Sequence, residues 1–484
     1  MLKKTLNSPI IMSWSAQFTR FGSVVFVTPL ILAHYESIEQ SFWYLIGTVI
    51  GFALLADSGF GSALVRAVSY YRAGESRIPK NREEFENREF SGSTEPNYEK
   101  LRDLLSTTGS IYYILGGISI LLLLAGTILF RNLFTLSGDR IDFWIAYLLL
   151  IPLCYQMILT IRWSSFMSGL NFVAAEARVG ALLELLKITA FIILLSFHLS
   201  PMYLVITMIV TSTSRYIYDR TFITRWFRSH NIEIRGYRKF DKDIFRSLWA
   251  QTWRLAGIFW GNYMVEYGNS FLIAQLPDTR MMASYLFTTN ILTWIKNFSR
   301  TPLYANIQNI YKLSAEKNFA EMKNKAAMYI FMGAGIMLAT CAFIGLAGNP
   351  LINFLDRTGI MTTETRFIGP FLFLIMVLSQ FFDMHSEFHA GLYTSTNHIP
   401  FLIPALLSGI IVVTGGYLIL PVYGLVGIIM ARFIVQASFN YWYATSLSLK
   451  LLKWPFREYL ADVPMKGSRY LLDKVKNGLF SELK

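Results

Sequence analysis

The chain has 484 residues, 54% of them apolar and only 15% charged, with a mean hydropathy of +0.41; an average soluble domain is roughly a quarter charged. That balance excludes an ordinary soluble globule. The two cysteines, Cys154 and Cys341, both lie inside apolar runs and read as packing residues, so a disulfide framework is excluded too, and the net charge of +13 has to be explained by topology.

Met1 to Pro9 carries Lys3 and Lys4 and runs into an apolar stretch with no small-residue cleavage site, which reads as a first membrane helix and not as a removed signal peptide. A helix needs about 20 mostly apolar residues to cross the ~30 Å hydrocarbon core. By that measure the sequence predicts an all-α integral membrane protein of about twelve transmembrane helices, at 9–33, 41–65, 106–130, 142–164, 175–197, 202–224, 247–275, 281–303, 325–347, 367–390, 399–420 and 424–446. The fifth span contains Glu176, Arg178, Glu184 and Lys187, and the eighth contains Lys296 and Arg300, so the pattern admits ten to fourteen helices.

Lysine and arginine alternate from side to side between these spans, and cytoplasmic loops retain them. One side holds Lys3, Lys4, seven cations between Arg72 and Arg102, the cluster from Arg220 to Arg246, Lys312, Lys317, Lys323, Lys325 and a basic tail. The other holds only Arg131, Arg140, Arg280, Arg357 and Arg366 among acidic neighbours. The first side is therefore expected in the cytoplasm, with both termini. Anionic lipid at the inner surface accounts for the net charge, and the dispersal of the cations over several loops argues against nucleic acid as a partner.

A weak internal repeat divides the chain. Leu30–Ile50 laid over Phe271–Ile291 without gaps matches Ala33 with Ala274, Tyr44 with Tyr285, Leu45 with Leu286, Thr48 with Thr289 and Ile50 with Ile291. Ala16, Gln17 and Arg20 are mirrored by Ala250, Gln251 and Arg254 after a shift of seven residues, two helical turns. The expected organisation is a six-helix lobe over 1–225 with a charged cytoplasmic loop at 71–105, a cytoplasmic linker at 226–246, a second six-helix lobe over 247–446, and a basic amphipathic tail at 447–484. Leu471, Val475 and Leu479 recur every four residues in that tail, which suits a helix lying on the inner leaflet or docking a partner.

Ionisable side chains inside spans mostly face the protein interior or a water-filled path. Arg20 in helix 1, Arg254 in helix 7, and Lys296 and Arg300 in helix 8 are candidate cations of a central cavity; Asp57 and Glu266, in helices 2 and 7, are their acidic counterparts. The plainer role for each is an intramembrane ion pair, such as Arg20 with Asp57 or Arg254 with Glu266. Cations outnumber acids in the set, and guanidinium forks match phosphate oxygens, so an anionic cargo is favoured. In helix 10 the run DMHSEFH carries Asp383, His385, Glu387 and His389. Asp383 and Glu387, with Asp57 and Glu266, are candidates for coupling a proton or cation. The two histidines share a face but lack the HExxH spacing and a third ligand, so no metal is expected, and water at the cytoplasmic end would satisfy this polar turn. There is no GxxxxGK[ST] loop, no GxGxxG after a strand and no GxSxG elbow, which leaves no soluble catalytic machinery.

Thr28 to Gly74 (TPLILAHYESIEQSFWYLIGTVIGFALLADSGFGSALVRAVSYYRAG) resembles the helix 1 to helix 2 region of bacterial polysaccharide transporters, the lipid-linked oligosaccharide flippases of the multidrug/oligosaccharidyl-lipid/polysaccharide exporter superfamily. Phe271 to Leu292 is similar to that family's helix 7 to helix 8 segment, with Tyr285 at a frequent tyrosine. The resemblance implies a V-shaped, two-lobed exporter in the bacterial inner membrane. It would carry an undecaprenyl-pyrophosphate-linked oligosaccharide from the inner to the outer leaflet for surface polysaccharide synthesis, driven by a proton or sodium gradient and needing no bound cofactor. Arg20, Arg254 and Arg300 carry over as cavity cations. A lipid-linked oligosaccharide and membrane lipids are the implied partners, with a polysaccharide polymerase and glycosyltransferases beside them. The 71–105 loop is longer than usual for the family, and Asn269 stands where related sequences often have an acid. The competing functions are a drug or metabolite cation antiporter of the same fold and a membrane component of a polysaccharide synthesis complex.

Overall fold

The structure, a computed structural model, describes residues 26–476 apart from 73, 78–94, 130–140, 235, 238, 277, 305, 308–309, 311–312, 314–317, 359–362 and 396–399; of residues 1–25 it describes only 19 and 22. Arg20 and most of the 71–105 loop lie outside the described residues. All regular elements among the described residues are helical. The chain falls into two compact units, Met1–Ala283 with Ile360–Thr365, and Ser284–Gly359 with Arg366–Lys484.

The first unit contains a helix over residues 26–34, then α1 (Ser37–Leu54), α2 (Phe60–Arg72), α3 (Tyr98–Leu129), α4 (Ile141–Gly169), α5 (Val173–Ser196), α6 (Pro201–Ser229) and α7 (Lys242–Ile273). Local chemistry sets several of the starts. Glu36 and Glu39 form a capping box at α1, Ser200 accepts the Met202 amide ahead of α6 with Pro201 in its first turn, and Asp241 accepts the Asp243 and Ile244 amides to begin α7. The span predicted as one helix over 41–65 is broken at 55–59. Ser58 and Gly59 both have positive φ there, and a side chain on Gly59 would meet Leu255 and Phe259 of α7 at 3.1 and 3.0 Å. Helix α7 is held in this unit by the Tyr263 hydroxyl, which donates to the Thr48 carbonyl, and by ring contacts of Phe52 with Trp260 and Phe271. The unit boundary at Ala283 thus falls after α7, which the sequence places in the C-terminal lobe.

At one end of the unit the linker before α7 is clamped on α3. Lys239 Nζ lies 2.7 Å from Asp103, the Lys239 amide donates to Ser106 at 2.7 Å, and the Asp241 amide donates to Thr107 at 3.0 Å. The base of the long charged loop is closed by the Asn97 amide, which donates to the Tyr71 carbonyl at 2.8 Å. The main core of the unit packs Leu64, Ala67 and Val68 of α2 against Leu104 of α3, Phe166 and Met167 of α4, and Phe227 of α6.

The second unit begins within α8 (Thr279–Ser299), continues through a single turn at Thr301–Tyr304, and then forms α9 (Phe319–Arg357), α10 (Pro370–Thr394), α11 (Leu402–Val435), a π-turn at Gln436–Asn440, α12 (Tyr441–Leu451) and α13 (Phe456–Lys476). Helix α11 reverses at Gly424, whose φ of 53° and ψ of −139° are non-helical. The reversal is proved by Ser408, which donates to Asn440 Oδ1 at 2.8 Å; in a straight helix 32 residues would separate them by about 48 Å. Its two limbs, the second continued by the π-turn and α12, are the spans predicted at 399–420 and 424–446. With them, each predicted span from the second to the twelfth has a helical counterpart among the described residues, including the polar fifth and eighth, and of the first span residues 26–33 are helical. Six helices among the described residues are long and apolar enough to cross a membrane on composition alone.

The 241-residue offset of the repeat (271 − 30) maps the first residue of α1 onto position 278, one residue before α8 begins. Tyr44 and Tyr285, Leu45 and Leu286, and Thr48 and Thr289 are all buried, whereas Ala33 and Ile291 are only half-buried against their buried matches Ala274 and Ile50.

The tail helix α13 packs on α9: Gly467 approaches Phe331 and the Ala327 carbonyl so closely that a Cβ would sit 2.5 Å from the ring-bearing carbon of Phe331. The side chains of Leu471, Val475 and Leu479 lie outside the described residues. His385 and His389 are not satisfied by water. Both are buried and aim Nε2 at the hydroxyl of Tyr459 on α13, at 2.5 and 3.2 Å, while His389 Nδ1 bonds Ser448 of α12.

Gly169 of α4 tests the close helix packing, because a Cβ there would stand 2.6 Å from Val68 Cβ and 2.9 Å from the Val65 carbonyl. Gly169→Ala is expected to cost about 1–3 kcal/mol from overpacking, whereas Gly117→Ala, with nothing within 4 Å, should be neutral or stabilising. Thermal unfolding of the detergent-solubilised protein measures both.

Candidate functional site

Three helices of the second unit each contribute a pair of polar side chains four residues apart, so that each pair projects from one face. Lys296 stands in the last turn of α8 and Arg300 just beyond it, Asp383 and Glu387 stand on α10, and Arg432 and Gln436 stand at the end of α11 and the start of the π-turn. Lys296 is the centre. Its ammonium lies 3.2 Å from Asp383 and 3.5 Å from Glu387, with the side chain 1% exposed. Asp383 also accepts from Arg432 Nη2 at 3.4 Å and from Gln436 Nε2 at 2.9 Å. Arg300 Nη1 bonds Glu387 at 2.5 Å and is the most exposed cation of the set, at 34%.

The π-turn has a part in this geometry. Asn440 donates to Gln436 Oε1 at 3.0 Å, which turns the Gln436 amide so that its NH₂ faces Asp383. Ser386 on α10 donates to the Asn440 carbonyl at 3.2 Å and ties α10 to the same turn. π-Turns inside helices frequently accompany functional sites. Two residues along a helix is a rotation of about 200°, so α10 presents its carboxylates to this network and His385 and His389 to α12 and α13 on its opposite side.

The structure therefore brings together four of the eight sequence-predicted site residues: Lys296, Arg300, Asp383 and Glu387. They form one ion-pair network. Asp57 lies elsewhere, at the break between α1 and α2, where it accepts the Tyr112 hydroxyl at 2.9 Å and the Gly61 amide at 3.2 Å. It holds the first turn of α2; Arg20, its suggested partner, lies outside the described residues. Arg254 and Glu266 do not pair with one another. Twelve residues on one helix separate them by about 18 Å, and Arg254 is exposed with its guanidinium 5.3 Å from the Trp253 ring. Sequence reasoning missed Arg432 and Gln436, although an arginine in the apolar run GLVGIIMARFIV was a visible signal. Among the described residues no group of three or more His, Cys, Asp or Glu side chains is arranged to hold a metal.

No family model and no curated protein matches the sequence. Solved structures do. An inward-facing multidrug resistance MATE family transporter of the MOP superfamily superposes with a TM-score of 0.60 at 12% identity, covering 89% of this chain and 95% of its own. The lipid II flippase MurJ in an inward closed conformation gives 0.58 at 14% identity, covering 96% and 93%. An outward-facing MATE family transporter gives 0.54 at 14%, covering 93% and 95%. What is shared is the fold. It spans nearly the whole chain, and the proteins that share it here are membrane transporters and a flippase.

Two carboxylates shared by three cations in apolar surroundings make the network sensitive to single charge removals. Asp383→Asn leaves Lys296 and Arg432 without their common carboxylate and is expected to cost about 3–5 kcal/mol. Adding Lys296→Met should recover part of that loss, a non-additivity that a double-mutant cycle on thermal unfolding would reveal. Additive losses would mean that the two side chains do not interact.

Proposed function

We propose that this chain is a flippase that moves an undecaprenyl-pyrophosphate-linked oligosaccharide from the inner to the outer leaflet of a bacterial inner membrane for surface polysaccharide synthesis. It works by alternating access of two six-helix lobes, with both termini in the cytoplasm and a proton or sodium gradient as the energy source. The observation that carries this reading is Arg300, the most exposed side chain of a network centred on buried Lys296, whose guanidinium already holds a carboxylate oxygen. A guanidinium fork binds phosphate in the same way, at comparable distances and with two parallel bonds. A pyrophosphate entering at Arg300 would displace Glu387, which keeps Lys296 as its other partner. The anion can thus exchange without stranding a charge.

The fold, shared with a lipid II flippase, and the likeness of Thr28–Gly74 to polysaccharide transporters support a lipid-linked cargo. A cation antiporter is less well supported, because Asp383 and Glu387 are already neutralised by Lys296, Arg300 and Arg432. The likeness to polysaccharide transporters adds Arg20 and Arg254 as further candidate cations for an anionic head group. A polysaccharide polymerase and glycosyltransferases are the fitting partners on either side of the transport step.

Reconstituted vesicles carrying a fluorescent polyprenyl-pyrophosphate glycan in one leaflet test the proposal. The protein should expose the glycan to the opposite leaflet under an imposed ion gradient, and Arg300→Gln should slow that exposure by about tenfold or more, the loss of one charge-assisted pair. Failure of the wild type under every gradient would remove the reading.

A further inference from the structure

The first unit contains a buried polar set whose charges do not balance. Arg215 on α6 donates from Nη2 to Glu176 Oε1 on α5 at 3.0 Å and from Nε to Asp219 Oδ2, one turn along α6, at 2.9 Å. Ser168, at the end of α4, donates to the second oxygen of Glu176 at 2.5 Å. Two carboxylates therefore share one cation. Asp219 is 0% exposed, and its Oδ1 has no hydrogen-bond partner.

The other charged groups on the helices packed here are placed elsewhere. Arg162 on α4 donates to the Leu105 carbonyl at 2.5 Å and stacks 4.6 Å from the Trp163 ring. Glu184 and Lys187 on α5 pair with each other at 2.8 Å, Arg178 on α5 is exposed, and Arg220 on α6 lies 5.9 Å from the Tyr216 ring. Among the described residues, Arg215 is the cation that bonds Asp219.

An uncompensated buried carboxylate is far more costly than a buried neutral acid, even one whose hydroxyl lacks a partner. We propose that Asp219 is a proton-binding site, and that Asp219, Glu176 and Arg215 together hold one proton in their neutral state. The proton comes from water and bonds a lone pair of Oδ1, the oxygen left unpartnered, while Oδ2 keeps its bond from Arg215. Both oxygens of Glu176 already accept hydrogen bonds, one of them from the cation, which leaves Oδ1 of Asp219 as the open position. A reversible proton held among α4, α5 and α6 would suit a carrier driven by a proton gradient. That use rests on the transport reading above; the proton site itself does not.

Infrared difference spectroscopy on the full-length protein in lipid, stepped from high to low pH, reads the site without any substrate, so its failure and that of the transport reading are distinguishable. A protonated-carboxyl carbonyl band should grow as the pH falls across about 9 to 5 and be absent in Asp219→Asn, whose amide oxygen can still accept from Arg215. Glu176→Gln keeps Asp219 and removes the surplus charge, so the band's midpoint should move down by about one pH unit or more. The proposal is overturned if no Asp219-dependent band exists in that range or if Glu176→Gln leaves the midpoint in place. It is also overturned if replacing choline by sodium at fixed pH abolishes the band, which would make this a cation site.

Discussion

Lys296 is a charged amine almost wholly removed from solvent on α8, and it is tolerable because two carboxylates on α10 reach it. An ion of that kind costs several kcal/mol to desolvate, and the cost is offset only when partners are placed well. That requirement fixes the face that α10 must present to α8. It also draws in α11, because Asp383 collects Arg432 and Gln436 as well. The π-turn serves the same network, since Asn440 orients the Gln436 amide that donates to Asp383.

The same α10 ties the network to the end of the chain. Carboxylates leave one side of the helix and imidazoles the other, and the imidazoles meet the Tyr459 hydroxyl on α13. The tail is consequently part of the second unit's packing, with Gly467 admitting α13 against α9. In the first unit the corresponding constraint acts on backbone groups. The break at 55–59 interrupts the helical hydrogen bonds, and side chains take up some of the freed groups: Asp57 accepts the Gly61 amide and the Tyr112 hydroxyl, and Ser58 donates to the Leu55 carbonyl.

Hydropathy made the helices legible, because every crossing needs a long apolar run, and even the polar fifth and eighth spans formed. Pairing was not legible. Arg254 and Glu266 look like partners as a list of charges, yet one helix holds them about 18 Å apart, whereas Lys296 and Asp383, 87 residues apart, touch. The helix break at 55–59 was hidden because LLADSGFG is apolar enough to continue a span. Arg432 was hidden because a single charge in a long apolar helix says little until its neighbours are known, and Arg215 and Asp219 were hidden among the other charges of α6, Arg220, Arg225 and Arg228.

The central claim is that a guanidinium at the exposed edge of this network receives a lipid pyrophosphate. Native mass spectrometry of the purified protein with undecaprenyl pyrophosphate and with undecaprenol tests it most directly, since the two lipids differ only in the anionic head. Retention of the pyrophosphate lipid, with little or none of the alcohol and a marked loss in Arg300→Gln, is the predicted result. Equal retention of both lipids, indifferent to Arg300, would contradict it.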